Sequence, residues 1–179
     1  MAETAERDHF PKLEHLGDGT PFVGRILEIL QHIQMFEDFG HDDIAHLARY
    51  LRCYQAPAGI EIIREDEPGD FMLLLIEGEV EIVKKDARGL PARIGLAGPG
   101  KTLGEMSVID GEPRFASCAT LADTTFAVLD RNQLSRLVAE EPQIGVKLLM
   151  ELMMLLNQRL RQVSSRLMHC LEGKRLRLR

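Results

Sequence analysis

No stretch of the chain runs apolar for the length of about 18 residues that a bilayer-spanning helix needs. The first residues are polar and acidic and lack the apolar core of a secretory leader, so the expected location is the cytoplasm. There are three cysteines, Cys53, Cys118 and Cys170, spaced too widely for a zinc pattern or a disulfide framework. The histidines (His9, His15, His32, His41, His46 and His169) all fall outside Cys53 to Asp130, the part of the chain rich in strand signals. A small β-barrel metalloenzyme of the cupin type needs several His or carboxylate ligands on inward strands, so that class is disfavoured. No nucleophile stands beside a candidate base. No catalytic residue is therefore assigned, and no metal or cofactor is expected. A formal net charge of −6 argues against a broad nucleic-acid surface.

What is present falls into five spans. Residues 1–20 are polar with little periodicity and read as a mobile arm. Residues 21–52 carry two helical patterns: Val23, Ile26, Leu27, Leu30 and Ile33, then Ile44, Leu47, Ala48 and Leu51 behind Asp42 or Asp43 as cap. Phe36 and Phe39 lie between them and are expected to staple the helices to the next unit. From 53 to 131 the period shortens. Runs at Glu61–Arg64, Phe71–Glu77, Glu79–Lys84, Arg93–Ala97, Ser117–Leu121 and Thr125–Leu129 alternate with turn signals such as Pro68-Gly69-Asp70 and Gly98-Pro99-Gly100. Many short strands at even spacing read as a sandwich or small barrel. Residues 132–172 read as two helices, a short one at Asn132–Val138 and a long one opened by Pro142. Between Val146 and Cys170 there is neither Gly nor Pro. A stripe alternating by three and four (Val146, Leu149, Met153, Leu156, Leu160, Val163, Leu167, Cys170) fits a dimer seam. A second stripe, Leu148, Leu152 and Leu155, should cover the barrel. Residues 173–179 are strongly basic and read as a solvated tail, with nucleic acid or an anionic surface as the alternative.

The chemistry concentrates in Leu103-Gly104-Glu105-Met106-Ser107-Val108-Ile109-Asp110-Gly111-Glu112-Pro113-Arg114-Phe115-Ala116-Ser117. Gly104 lets a ligand approach the backbone closely. A helical turn starting there aims free N–H groups outward. Arg114 offers a planar cationic fork suited to phosphate oxygens, and Glu105 an acceptor suited to hydroxyls. A sugar phosphate satisfies both. This stretch resembles the phosphate-binding cassette of cyclic-nucleotide-binding domains, and the likeness runs over roughly residues 36–170. Gly104, Glu105, Arg114, Ala116 and Ser117 fit the cassette. Leu103 replaces a frequent Phe, and Phe115 stands where a small residue is usual. Gly59, Gly69 with Asp70, and Gly78 match turn glycines of that fold.

The resemblance implies a mainly β chain: a double-stranded β-helix jelly-roll barrel with N-terminal helices and a long C-terminal dimerisation helix. It implies a regulatory sensor rather than an enzyme. Gly104, Glu105, Met106, Arg114, Phe115 and Ala116 would bind phosphate and ribose, while Ile82 and Ile94 would line the purine. Gln162-Val163-Ser164-Ser165 is similar to the Val-Thr-Ser of the bacterial catabolite activator family, which would put Ser164 and Ser165 on adenine, one from each subunit of a homodimer. The implied seam is Leu149, Met153, Leu156, Leu160, Val163 and Leu167. The expected ligand is cyclic AMP, because Phe115 lacks the hydroxyl that accompanies cyclic GMP. Relatives of the catabolite activator type follow the long helix with a winged helix-turn-helix, which has no room after Cys170. No DNA-binding domain is evident, the downstream effector is open, and no membrane contact is expected. The competing expectation, raised by Phe115, is a degenerate fold kept for dimerisation without nucleotide.

Overall fold

Alternation along two central strands explains the architecture. In Thr124–Asp130 every residue is buried. Phe126 and Val128 point into one apolar cluster with Tyr54, Leu73 and Leu75. Ala127 and Leu129 point the opposite way, into a second cluster with Cys53, Met72 and Ile76. Successive strand side chains face opposite sides, so an apolar run reads as a strand dry on both faces. One face lines a barrel; the other is roofed by helices.

The computed structural model describes residues 8–31 and 39–176. Its strands are β1 Glu14–Asp18, β2 Arg52–Ala56, β3 Glu61–Ile63, β4 Phe71–Glu77, β5 Val80–Lys85, β6 Pro91–Ala97, β7 Thr102–Leu103, β8 Ser117–Thr120 and β9 Thr124–Asp130. Its α-helices are α1 Val23–Gln31, α2 His41–Ala48, α3 Glu105–Asp110, α4 Arg131–Glu140 and α5 Pro142–Leu176. The strands form two antiparallel sheets, ordered β1-β2-β9-β4-β7 and β3-β8-β5-β6, as a jelly roll does. Helices flank this mainly β body, as the sequence implied.

The expectation of an arm over 1–20 changes from residue 8 onward. Glu14–Asp18 pairs with β2 through a bulge between His15 and Gly17. The bulge breaks the alternation, so the strand has no periodic signature. Phe10 enters the barrel end, with its ring centroid 5.2 Å from Tyr54 and 5.3 Å from both Phe71 and Phe126. A lone phenylalanine carries no period to read. Residues 1–7 lie outside the described chain, as do Ile33 and Phe36; Phe39 is buried among the helices.

Other differences are local. The cap of α2 is Gly40, not Asp42 or Asp43; Asp43 sits one turn in and accepts from the Gly40 amide at 3.0 Å. Its second partner is Lys147 of α5 at 2.7 Å, and that hydrogen bond, together with the Gly40 amide, outweighs burial and lowers the Asp43 pKa. The run at 79–84 was expected to have one dry face, yet only Val80 of β5 is fully buried. Ile82 is left partly open because its face borders the hollow described below. Helix α5 continues to Leu176, into the basic segment read as a tail.

On α5 the two stripes separate as expected in one respect. Leu148, Leu152 and Leu155 are buried, whereas Val146, Leu149, Met153, Leu160, Val163 and Leu167 are exposed. Leu156 lies between the two classes and Cys170 is exposed. Truncating the roof should therefore be costly. Leu152→Ala is expected to lose about 2–4 kcal/mol of unfolding free energy, read from urea denaturation, through lost burial and the cavity left behind.

Candidate functional site

The segment between β7 and β8 is shaped by backbone before any side chain acts. Gly104 enters α3 at φ 79° and Gly111 leaves it at φ 78°, both left-handed, where a Cβ is strained. Gly104 carries a second constraint: a Cβ there would sit 2.5 Å from Arg114 Nη1. Gly69 is tighter still, since its Cβ would fall 1.9 Å from Arg114 Nε. Two glycines thus make the slot in which the Arg114 side chain lies.

Arg114 is 4% exposed. Its Nη1 donates to Phe71 O at 2.7 Å and to Gly104 O at 3.0 Å. Its guanidinium carbon stands 4.2 Å from the centre of the Phe71 ring. Its main chain is fixed too: Arg114 N donates to Glu67 O at 2.9 Å, and Asp66 N donates to Arg114 O at 3.0 Å. Burial lowers its pKa, opposed by the nearby Asp70 and Glu105 charges. Nη2 is buried with no hydrogen-bond partner among the described residues.

Glu105, the first residue of α3, is 1% exposed. One carboxylate oxygen pairs with Arg159 Nη1 of α5, whose Nη2 also donates to Thr102 O at 2.9 Å. The other oxygen, Oε2, is buried and unpartnered among the described residues. Burial pushes the Glu105 pKa up, and the cations Arg159 and Arg114 only partly offset it.

These groups wall a hollow of about 460 Å³, measured out to its open mouth. Ile63, Ile82, Leu103, Cys118 and Ala116 supply apolar surface; Gly104, Glu105, Met106, Ser107, Arg114, Phe115 and Arg159 complete it. Burial drives the Cys118 thiol up to about 12, so it is not a nucleophile at neutral pH. Phe115 is 55% exposed at the rim, with Lys84 Nζ 4.3 Å from its ring centre. The same ammonium donates to Phe115 O at 2.7 Å and Glu65 Oε1 at 2.8 Å. Chemically the hollow offers one buried cation, one buried acceptor and an apolar wall. It can hold an anion joined to a hydroxyl-bearing ring. Among the described residues no group of three His, Cys, Asp or Glu is placed to hold a metal ion.

The structure brings together Gly104, Glu105, Met106, Arg114, Phe115, Ala116 and Ile82. It does not bring Ile94, Ser164 or Ser165 to the same lining: Ile94 is 48% exposed on β6, and both serines are exposed on α5. Sequence reading missed Arg159, although a signal was available. It continues the barrel-facing stripe Leu148, Leu152, Leu155 at the same three-and-four spacing, so an arginine there must meet the barrel.

Comparison with known proteins decides the family. Residues 54–141 match the cyclic nucleotide-binding domain. A crystal structure of a cyclic nucleotide-binding domain from Methylobacillus flagellatus superposes with a TM-score of 0.81 at 39% identity, covering 89% of this chain and 90% of that one. This chain belongs to the cyclic nucleotide-binding domain family.

A CRP-like cAMP-activated global transcriptional regulator of Mycobacterium tuberculosis is 31% identical over 140 residues, 78% of this chain and 61% of the relative. A cyclic nucleotide-gated potassium channel of Mesorhizobium japonicum is 30% identical over 66% of this chain and 31% of the channel. The chain thus spans about three fifths of the first relative and a third of the second. Among the described residues no helix is long and apolar enough to cross a membrane.

The raised Glu105 pKa has a stability consequence. Between the ordinary glutamate range and that raised value the folded protein holds more protons than the unfolded chain, so stability falls as pH rises through the window. Glu105→Gln should flatten that part of the slope, read from urea midpoints at a series of pH values. Gly69→Ala should leave the fold in place but displace Arg114, read as at least about a tenfold loss of ligand affinity.

Proposed function

We propose that this chain is a regulatory sensor that binds a cyclic nucleotide, cyclic AMP in preference to cyclic GMP, and reports occupancy through α5. The observation that carries this reading is a pair of buried, half-satisfied charges in one wall: Arg114 Nη2 and Glu105 Oε2, each without a partner among the described residues. Buried polar atoms are costly when unpaired. A cyclic phosphate supplies acceptors for the first, and a ribose 2′-hydroxyl supplies a donor for the second. Phe115 has no hydroxyl to offer guanine, which favours adenine.

Arg159 supports the coupling. It ties α5 to the carboxylate that the ribose would use: Arg159 holds Oε1 and Oε2 is left for the ligand, so a ligand and the helix share Glu105. A shared carboxylate of this kind makes ligand affinity and helix position reciprocal. The exposed stripe of α5 supports a homodimer through Leu149, Met153, Leu156, Leu160, Val163 and Leu167. Such a dimer could also carry Ser164 and Ser165 to the base from a second copy. A transcriptional output of the catabolite activator type is favoured by the Mycobacterium tuberculosis relative; the effector that reads α5 is a partner or domain of unknown type. The competing reading, a fold kept only for dimerisation, rests on Phe115. That ring is exposed at the rim against Lys84 rather than packed into the slot that holds Arg114.

Calorimetry on nucleotide-stripped protein should give heat with cyclic AMP and less with cyclic GMP. Arg114→Ala should cost about 2–5 kcal/mol of binding free energy, as for removing one side of a buried charge pair. Absence of heat with both nucleotides on folded wild-type protein would sink the sensor and favour the dimerisation module. Sedimentation should show a dimer that Leu156→Glu disperses; a wild-type monomer at high micromolar concentration would contradict the seam.

A further inference from the structure

The guanidinium of Arg114 is a partition between two hollows. One is the candidate site. The other, about 570 Å³ to its mouth, lies behind it and is bounded by His9, Phe10, Glu61, Arg64, Phe71 and Arg114. What closes the rear hollow is the N-terminal segment before β1.

That segment is firmly seated. Phe10 fills the barrel end against three rings. Asp8 accepts from the Tyr54 hydroxyl at 3.1 Å and from the Phe10 amide at 3.0 Å. The His9 side chain, only 4% exposed, is wedged between two carboxylates: Nδ1 is 3.7 Å from Asp70 and Nε2 is 3.6 Å from Asp130. These are ion-pair distances, longer than hydrogen bonds. The imidazole also lies 4.7 Å, centre to centre, from Phe71, the ring that carries the Arg114 guanidinium.

Asp70 faces His9, and its chain neighbour Gly69 lies against the Arg114 guanidinium, whose charge interacts with Asp70. Other charged groups nearby have partners of their own. Asp130 also caps α4 by accepting from the Gln133 amide at 2.8 Å, and Arg52 lies in its field. Arg64 bridges Glu61 at 2.7 Å and Glu67 at 3.1 Å across the rear hollow. Asp8 is occupied by Tyr54.

We propose that residues 8–13 form a clasp on the binding site, with His9 as a positioning residue for Arg114. When the imidazole carries a proton it engages Asp70 and Asp130, and Asp70 pulls less on Arg114, leaving more of the guanidinium's charge for an anion on the pocket side. When the imidazole is neutral, Asp70 competes with the ligand for that charge. Histidine changes charge within the range of about pH 5 to 8, so the clasp makes ligand affinity depend on pH from outside the pocket. The inference rests on the sensor reading above and adds a determinant that the cassette does not contain.

The test is calorimetric titration with cyclic AMP at about pH 5.5, 6.5 and 8 on wild-type protein and on His9→Phe, which keeps the aromatic volume but cannot titrate. Glu105 contributes to both profiles and cancels in the ratio of the two dissociation constants. The variant should bind about fivefold more weakly than wild type at the acid end and nearly equally at the alkaline end. Asp70→Asn removes the competing carboxylate. It should bind more tightly than wild type at about pH 8 and lose the same pH-dependent component, which keeps the question answerable if His9→Phe does not fold. A ratio constant with pH, with both proteins binding, overturns the clasp and leaves the sensor standing. Failure of wild type to bind at any pH overturns both.

Discussion

Burying a guanidinium and a carboxylate in one wall is expensive unless each finds partners. Most of the structure around α3 follows from meeting that cost. Arg114 is laid on two backbone carbonyls and a phenyl ring in a slot cut by Gly69 and Gly104. Glu105 is met by Arg159 from the far helix. Neither charge is fully satisfied, and both residues line one hollow. A wall built to hold two incompletely paired charges is poised for a guest that completes both.

The same constraint reaches outward in two directions. Through Arg159 it recruits α5. The helix is anchored by the buried Leu148, Leu152 and Leu155 and by polar ties that include Lys147 to Asp43 and Arg159 to Glu105. The Arg159 tie occupies Oε1 of the carboxylate whose Oε2 a ribose would use, so α5 and a ligand would meet at one side chain. Through Phe71 and Asp70 the constraint reaches the N-terminal segment, which stoppers the barrel directly behind the arginine. Pocket, α5 and N-terminal segment are linked by short-range contacts to Arg114 and Glu105.

Much of this was legible in the chain. The cassette residues stood out because glycine, carboxylate and Pro-Arg occur around a short apolar turn, and each type has one obvious use. Strands with two dry faces, β4 and β9, were readable as apolar runs. Legibility failed where the decisive contact is a single residue with no periodic neighbours. Phe10 and His9 sit in a polar, irregular segment, and nothing local says that a barrel end awaits them. β1 was hidden by its bulge, and β7 is only two residues long. Arg159 was readable in principle, since it completes a stripe, but its partner Glu105 is 54 positions away and only the fold brings them together. Ser164 and Ser165 were suggested by resemblance alone, and in one copy of the chain they face solvent.

The central claim is that Arg114 and Glu105 receive a cyclic phosphate and its sugar at the two atoms the protein leaves unpartnered. A crystal structure of the protein grown with cyclic AMP tests it most directly. The account predicts phosphate oxygens within hydrogen-bond distance of Arg114 and the ribose hydroxyl on Glu105. Nucleotide bound elsewhere, or a filled pocket with Arg114 turned away from the phosphate, would contradict it.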